Sequence, residues 1–124
     1  MTIDVLIIED EKALSELVKV NFTLRNISVI VAQNGSEGIR FAYKHKPKVI
    51  LLDVRLPDID GWEICKKLKT GSDNYMPIVV FLTAATQKSD KEMARESGGD
   101  AFLEKPFEIK TLLKTVREFL DQKR

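Results

Sequence analysis

Five short apolar runs rich in Val and Ile recur along the chain, each followed by a longer stretch with helical spacing. This alternation constrains the fold more than any other feature. The runs are Ile3 to Ile8, Ile27 to Val31, Lys48 to Leu52, Ile78 to Leu82 and the short Ala101 to Leu103. Most are nearly continuous in apolar character, the pattern of strands buried on both faces of a parallel sheet. The stretches between them place apolar residues on one helical face. Leu14, Leu17, Val18 and Phe22 form the first stripe, and Gly38, Ile39 and Ala42 a weaker second. Ile64, Cys65 and Leu68 form the third, and Met93, Ala94 and Ser97 a poorly apolar fourth. Ile109, Leu112, Leu113, Val116 and Leu120 form the clearest stripe. Pro47 reads as the end of the second helix and Gly98-Gly99 as a stop after the fourth. Strict alternation of strand and helix requires crossover connections, hence an α/β fold with helices on both faces of a parallel sheet. Five strands are too few for an eight-stranded barrel. The expected architecture is a doubly wound five-stranded sheet, (βα)5, which binds ligands at the carboxyl ends of its strands.

Composition removes several function classes. At 124 residues the chain is expected to be one domain, with a core that needs no disulfide or zinc staple. Lys plus Arg number 20 and Asp plus Glu 19, so the net charge of +1 offers no general attraction to nucleic acid or to an anionic membrane. Lys44, Lys46 and Lys48 cluster around Pro47, the pattern of a solvated loop edge. The lone Cys65 and lone His45 make neither a disulfide nor a zinc site. The longest uncharged stretch, Asn74 to Gln87, is broken by Pro77 and too short to span a bilayer. Met1 to Leu6 carry Asp4 and no basic cluster, so no signal peptide is expected and the expected location is cytoplasmic.

The polar residues at the strand ends carry the chemistry. The first run ends in Glu9-Asp10-Glu11, the third in Asp53, the fourth in Thr83 and the fifth in Glu104-Lys105-Pro106. With strand order 2-1-3-4-5, Glu9, Asp10 and Asp53 converge on one crevice, with Thr83 and Lys105 on its far side. Each has a plainer reading. Asp10 can cap the following helix, Thr83 can be a turn residue, and Lys105 a solvated loop lysine. The conjunction of all of them on one sheet edge favours a site. Carboxylates held together raise one another's pKa unless a cation joins them, and one lysine is insufficient compensation. Hard oxygen ligands with room for water suit Mg2+. A lysine, a hydroxyl and a divalent cation around a carboxylate make an anion cradle beside a nucleophile, which suits phosphoryl transfer to an acyl phosphate.

The motifs Ile7-Ile8-Glu9-Asp10-Glu11, Leu51-Leu52-Asp53-Val54-Arg55-Leu56-Pro57-Asp58-Ile59-Asp60-Gly61, Leu82-Thr83-Ala84 and Phe102-Leu103-Glu104-Lys105-Pro106-Phe107 resemble those of the receiver domains of two-component response regulators, the chemotaxis receiver among them. The resemblance covers about Ile3 to Leu120 and implies a flavodoxin-like fold, with residues 1–124 as a single receiver domain. It implies that Asp53 is the phosphoacceptor, that Asp10 binds Mg2+ directly and that Glu9 holds it through water. Arg55 would supply its backbone carbonyl to the metal. Thr83 would bond the phosphoryl group, Lys105 would bind it, and Phe102 would be the aromatic switch. Pro106 would follow a cis bond, and Pro57 and Gly61 would shape the loop after the third strand. The implied function is a phosphoacceptor switch, not an enzyme beyond its own phosphotransfer and slow autodephosphorylation. A histidine kinase or histidine phosphotransfer protein would be the donor. The face built from the fourth helix, fifth strand and fifth helix would control an output domain or downstream protein.

The chain departs from the family at several points. Gly98-Gly99-Asp100 stands where Gly-Ala-Asp is frequent. Ala101 and Thr115 replace an Asp and an Arg that pair in dimers of winged-helix regulators, so that dimer loses an ion pair. Arg55 and Ala85 border the path of a hydrolytic water; neither assists hydrolysis, and a relatively long-lived phosphoryl group is expected. A flavodoxin-like electron carrier shares the fold, but it needs a Ser/Thr/Gly-rich phosphate loop where this chain has Glu9-Asp10-Glu11. A degenerate receiver would lack the acceptor, a metal ligand or the lysine, and all are present. No Gly-x-x-x-x-Gly-Lys-Ser/Thr occurs for a nucleotide-triphosphate loop.

Overall fold

The structure is a computed structural model that describes residues 2–70, 74–84 and 88–122, with backbone alone at 88–91. Among the described residues, five strands alternate with five helices: β1 (Val5–Ile8), α1 (Lys12–Thr23), β2 (Val29–Ala32), α2 (Gly35–His45), β3 (Val49–Leu52), α3 (Gly61–Lys69), β4 (Ile78–Thr83), α4 (Lys88–Glu96), β5 (Ala101–Glu104) and α5 (Ile109–Leu120). The strands form one parallel sheet in the order β2-β1-β3-β4-β5, as expected. Every residue of β1, β3 and β4 is buried, whereas the edge strands β2 and β5 are mostly half-buried or exposed.

Alternate side chains of each strand point to opposite faces, which splits the core in two. On one face Leu6, Ile8, Ile50, Leu52, Val79 and Phe81 pack with Ala42, Ile64, Leu68 and Ala94 from α2, α3 and α4. On the other, Val5, Ile7, Val49, Leu51, Val80 and Leu82 pack with Val18, Phe22, Leu112 and Val116 from α1 and α5. Each large side chain buried this way contributes roughly 1.5–3 kcal/mol of transfer free energy.

Strand and helix ends have local causes. β1 starts after Asp4 and β2 after Ser28, two residues later than the apolar runs suggest, because these two side chains bond across. Ser28 N donates to Asp4 Oδ2 at 3.0 Å, and Asp4 N donates to Ser28 Oγ at 2.8 Å. α2 stops at Lys46, which takes a left-handed conformation (φ 46°) before Pro47. After α4, Gly98 turns the chain at φ 97°.

Two helical stripes differ from expectation. Leu17 is 50% exposed and the buried face of α1 runs through Ser15, Val18 and Phe22. Ser15 tolerates burial because its hydroxyl bonds Lys12 O within the helix at 3.1 Å. On α4, Met93 is 45% exposed, and the described inward residues are the small Ala94 on the helix and Ser97 just after it. The chain around α4 approaches Phe81 closely: a Cβ on Gly99 would lie 2.7 Å from that ring. The turn after α4 can pass Phe81 this closely only with glycine.

Candidate functional site

The parallel register brings the ends of β1, β3 and β4 into one crevice. Glu9 follows β1 and its amide bonds Ala32 O at 3.0 Å, and Asp53 follows β3 and its amide bonds Ile8 O at 3.1 Å. Ladder bonds therefore set both acids in place before any side chain acts. Glu9 is 1% exposed, Asp53 8% and Thr83, the last residue of β4, 1%. Asp10 is exposed at the rim. α1 starts beyond it, with Glu11 at the cap position and no side-chain capping bond, so Asp10 is not spent on that helix. Glu9, Asp10 and Asp53 each bring a carboxylate oxygen within 4.8 Å of the others.

Lys105 closes the crevice from β5. Its amide bonds Thr83 O at 2.8 Å, and its peptide bond to Pro106 is cis. The ammonium bonds Glu9 Oε1 and lies 3.3 Å from Asp53 Oδ2 and 3.9 Å from Glu11 Oε2. Burial opposes its charge, but Glu9 and Asp53 outweigh that and hold its pKa above the ordinary lysine value. Burial, reinforced by Asp53, pushes the Glu9 carboxyl up to about 8 against the opposing pull of Lys105.

One ammonium thus serves several carboxylates. Glu9 Oε2 is buried and, among the described residues, has no hydrogen-bond partner. A buried acceptor without a donor costs about 1–3 kcal/mol, so this edge is left short of a donor or cation. An all-oxygen donor set with an orphaned acceptor fits a hard divalent cation.

The loop from Val54 to Asp60 is shaped at its base by two bonds. Arg55 N donates to Asp53 Oδ1 at 3.1 Å, and Gly61 N donates to Val54 O at 2.7 Å. A Cβ on Gly61 would lie 2.6 Å from Asp53 O, so α3 can start this close to the site only with glycine. The Arg55 side chain is exposed. Ala85, the other residue expected to border the hydrolytic water path, lies outside the described residues. Phe102 on β5 is half-buried and lines a cavity of about 330 Å³ with Phe81, Ala94 and Arg95. Trp62, one residue past Gly61, stacks obliquely on Phe81 with ring centroids 6.0 Å apart.

Glu9, Asp10, Asp53, Lys105 and Thr83 are therefore gathered at one edge, and Phe102 stands apart beside α4. Sequence reasoning assigned no task to Glu11, which reaches Lys105, or to Asp58, which bonds the start of α2. Both sat within recognised motifs, but neither motif says which distant group an exposed acid will meet.

The family model described as response regulator receiver domain matches residues 5–117. Among curated proteins, the chain is 36% identical over 116 residues to the DNA-binding dual master transcriptional regulator RpaA of Synechocystis sp., covering 94% of this chain and 48% of that protein. It is 39% identical over 118 residues to the transcriptional regulatory protein TrcR of Mycobacterium tuberculosis, covering 95% of this chain and 45% of the relative. The chain thus spans about half the length of the curated relatives it matches. Among solved structures, the chemotaxis protein CheY4 of Vibrio cholerae superposes with a TM-score of 0.87 at 28% identity, covering 96% of this chain and 99% of that one. A two-component response regulator from Clostridium difficile gives 0.89 at 29% identity, covering 98% of each chain.

Proposed function

Since the chain belongs to the response regulator receiver domain family, regulatory modules of two-component signalling, we propose that Asp53 is its phosphoacceptor and that the domain works as a Mg2+-dependent switch. The observation that carries this reading is the pair of bonds on the buried Asp53 carboxylate, with Arg55 N on Oδ1 and the Lys105 ammonium beside Oδ2. A carboxylate fixed at both oxygens is oriented as a nucleophile, and the ammonium stands where charge on an incoming phosphoryl group would develop.

Asp10 and Asp53 would hold Mg2+ directly, with the Arg55 carbonyl, and Glu9 through water. When bound, Mg2+ neutralises negative charge on the oxygens of the group being transferred. In the reaction an Asp53 oxygen bonds phosphorus as the P–N bond of a phosphohistidine breaks, and the imidazole nitrogen leaves with the electron pair. The donor is a histidine kinase or histidine phosphotransfer protein.

The product adds roughly 1.5 to 2 negative charges to a buried position. Lys105 and Thr83 turn toward those oxygens, and Phe102 moves into the space that Thr83 leaves. The α4–β5–α5 face is thereby repacked and read by an output domain or downstream protein. Any contact with DNA would belong to that output, because this domain's net charge is only +1. Arg55 lies over the phosphoryl group and Ala85 offers no polar atom to a water, so autodephosphorylation is slow. No helix among the described residues is long and apolar enough to cross a membrane, and the domain, residues 1–124, is assigned to the cytoplasm.

With Mg2+ and acetyl phosphate or a phosphohistidine donor, the intact mass is expected to rise by one phosphate, and Asp53→Asn to abolish the gain. Persistent labelling of that variant would sink the assignment.

A further inference from the structure

The loop between β3 and α3 is held at a third point, away from its base. Asp58 Oδ1 accepts the amide of Gly35 at 2.7 Å and Oδ2 accepts that of Ser36 at 2.9 Å. These are the first two amides of α2, which a helix cannot satisfy from within. The cap residue of α2, Asn34, takes only the amide of Glu37, at 2.9 Å. Asp58 therefore completes a helix start that lies more than twenty positions away in sequence. The Ser36 and Gly35 amides together hold its carboxyl below the ordinary aspartate range.

The approach is close enough to need glycine on the other side. A Cβ on Gly35 would lie 3.0 Å from Asp58 Oδ1, 3.0 Å from Ile59 Cβ and 2.9 Å from Ile64 Cδ1. Asp58 also follows Pro57, whose ring removes one backbone freedom just before the clamp. The two bonds at the loop base fix only the Asp53–Arg55 turn and the entry to α3. Between them, Leu56 and Ile59 rest against the core, and the α2 clamp adds the polar hold on the outer part of the loop.

We propose that Asp58 is a positioning residue for the cation site. By pinning the loop to the N-terminus of α2, it holds the Arg55 carbonyl and the Asp53 carboxylate in the arrangement that accepts a divalent cation. This inference rests on the cation-site reading given above. Loss of a residue that orients metal ligands typically costs about tenfold or more in affinity.

The test is titration with Mg2+ alone, read by Trp62 fluorescence, at high ionic strength to damp general charge effects. Amide spectra recorded alongside follow Gly35 and Ser36. The parent is expected to show Mg2+-induced shifts of the Gly35 and Ser36 amides, and Asp58→Ala to lose them and to bind Mg2+ about tenfold more weakly. Asp58→Asn, which keeps a carbonyl acceptor and removes the charge, is expected to fall between parent and Ala. Asp60→Asn is the charge control, because Asp60 lies in the same loop without a side-chain capping bond. Equal Mg2+ affinity in parent and both Asp58 variants would overturn the proposal, and so would an equal loss in Asp60→Asn. Failure of the parent to bind Mg2+ would instead remove the cation site itself, and the proposal with it.

Discussion

The two edges of the sheet handle polar groups in opposite ways. At the amino edge, groups pair off. Asp4 and Ser28 exchange two bonds, Tyr75 Oη donates to Pro47 O at 2.7 Å, and the Lys48 ammonium takes the end carbonyl of Leu120 at 2.8 Å. At the carboxyl edge Glu9, Glu11 and Asp53 share the single ammonium of Lys105, and a buried oxygen of Glu9 is left over. A satisfied edge contributes stability. An under-neutralised edge holds charge in reserve for a cation and a phosphoryl group. If this contrast is right, substitutions at the carboxyl edge change chemistry and pH behaviour, and those at the amino edge change stability alone.

The largest expected effect comes from Lys105→Ala. Among the described residues it removes the one cation facing both Glu9 and Asp53, and with it the group that meets charge on the transferring phosphoryl oxygens. Phosphotransfer to Asp53 is expected to slow by about 10²–10³-fold, the usual cost of losing one such stabilising donor. The rate of mass gain from acetyl phosphate measures it. A rate within threefold of the parent would show that Lys105 only balances resting charge.

The same contrast explains what the sequence exposed. Runs such as Val49–Leu52 announce a central strand because both faces are buried, and acids directly after such runs fall at the carboxyl edge by topology alone. Glu9, Asp10, Asp53, Thr83 and Lys105 were legible for that reason. Helix faces were less so. Leu17 joins an apolar stripe by spacing, yet α1 rests on Ser15, Val18 and Phe22, because packing selects a direction that hydropathy does not encode. Met93 was misplaced for the same reason: α4 turns the small Ala94 inward and leaves Met93 45% exposed. Strand starts moved because the Asp4–Ser28 exchange is a long-range bond between two ordinary polar residues. The Asp58 clamp was invisible on the same ground: it exists only once α2 and the β3–α3 loop are neighbours.

A smaller effect is expected from pH. Glu9 has an ordinary value of 4.5 and is held at about 8 in the folded chain. Between those values the folded state keeps a proton that the unfolded state has lost. Stability from this group is therefore greatest at the acid end and falls as pH rises from about 4.5 to about 8. Without metal, the unfolding temperature is expected to drop across that window. Mg2+ is expected to flatten the drop, because a cation replaces the proton as the partner of the site's negative charge. Glu9→Gln should remove the slope. A slope of equal size in Glu9→Gln would assign it to other groups.

The smallest effect is the one that isolates the amino edge. Tyr75 is 8% exposed, and burial, helped by Tyr43, raises the pKa of its hydroxyl, which stays a neutral donor. Tyr75→Phe keeps the ring that packs edge-on against Tyr43, at a centroid distance of 6.4 Å. It deletes only the donor to Pro47 O, leaving a buried carbonyl with one partner fewer. The expected cost is about 1–2 kcal/mol of folding stability, read as a lower midpoint in urea at unchanged slope. Pro47 leads directly into β3, whose far end carries Asp53, so a disturbance passed along that strand would appear as weaker Mg2+ binding. The parallel ladders on both sides of β3 fix its register residue by residue through Val49↔Val5 and Val49↔Ile78. They absorb such a disturbance before it reaches the site. Mg2+ affinity and the rate of phosphorylation are therefore expected to match the parent within twofold. A loss of Mg2+ affinity comparable to that of Asp58→Ala would show that the two edges are mechanically one, and that the separation of stability from chemistry along this sheet is wrong.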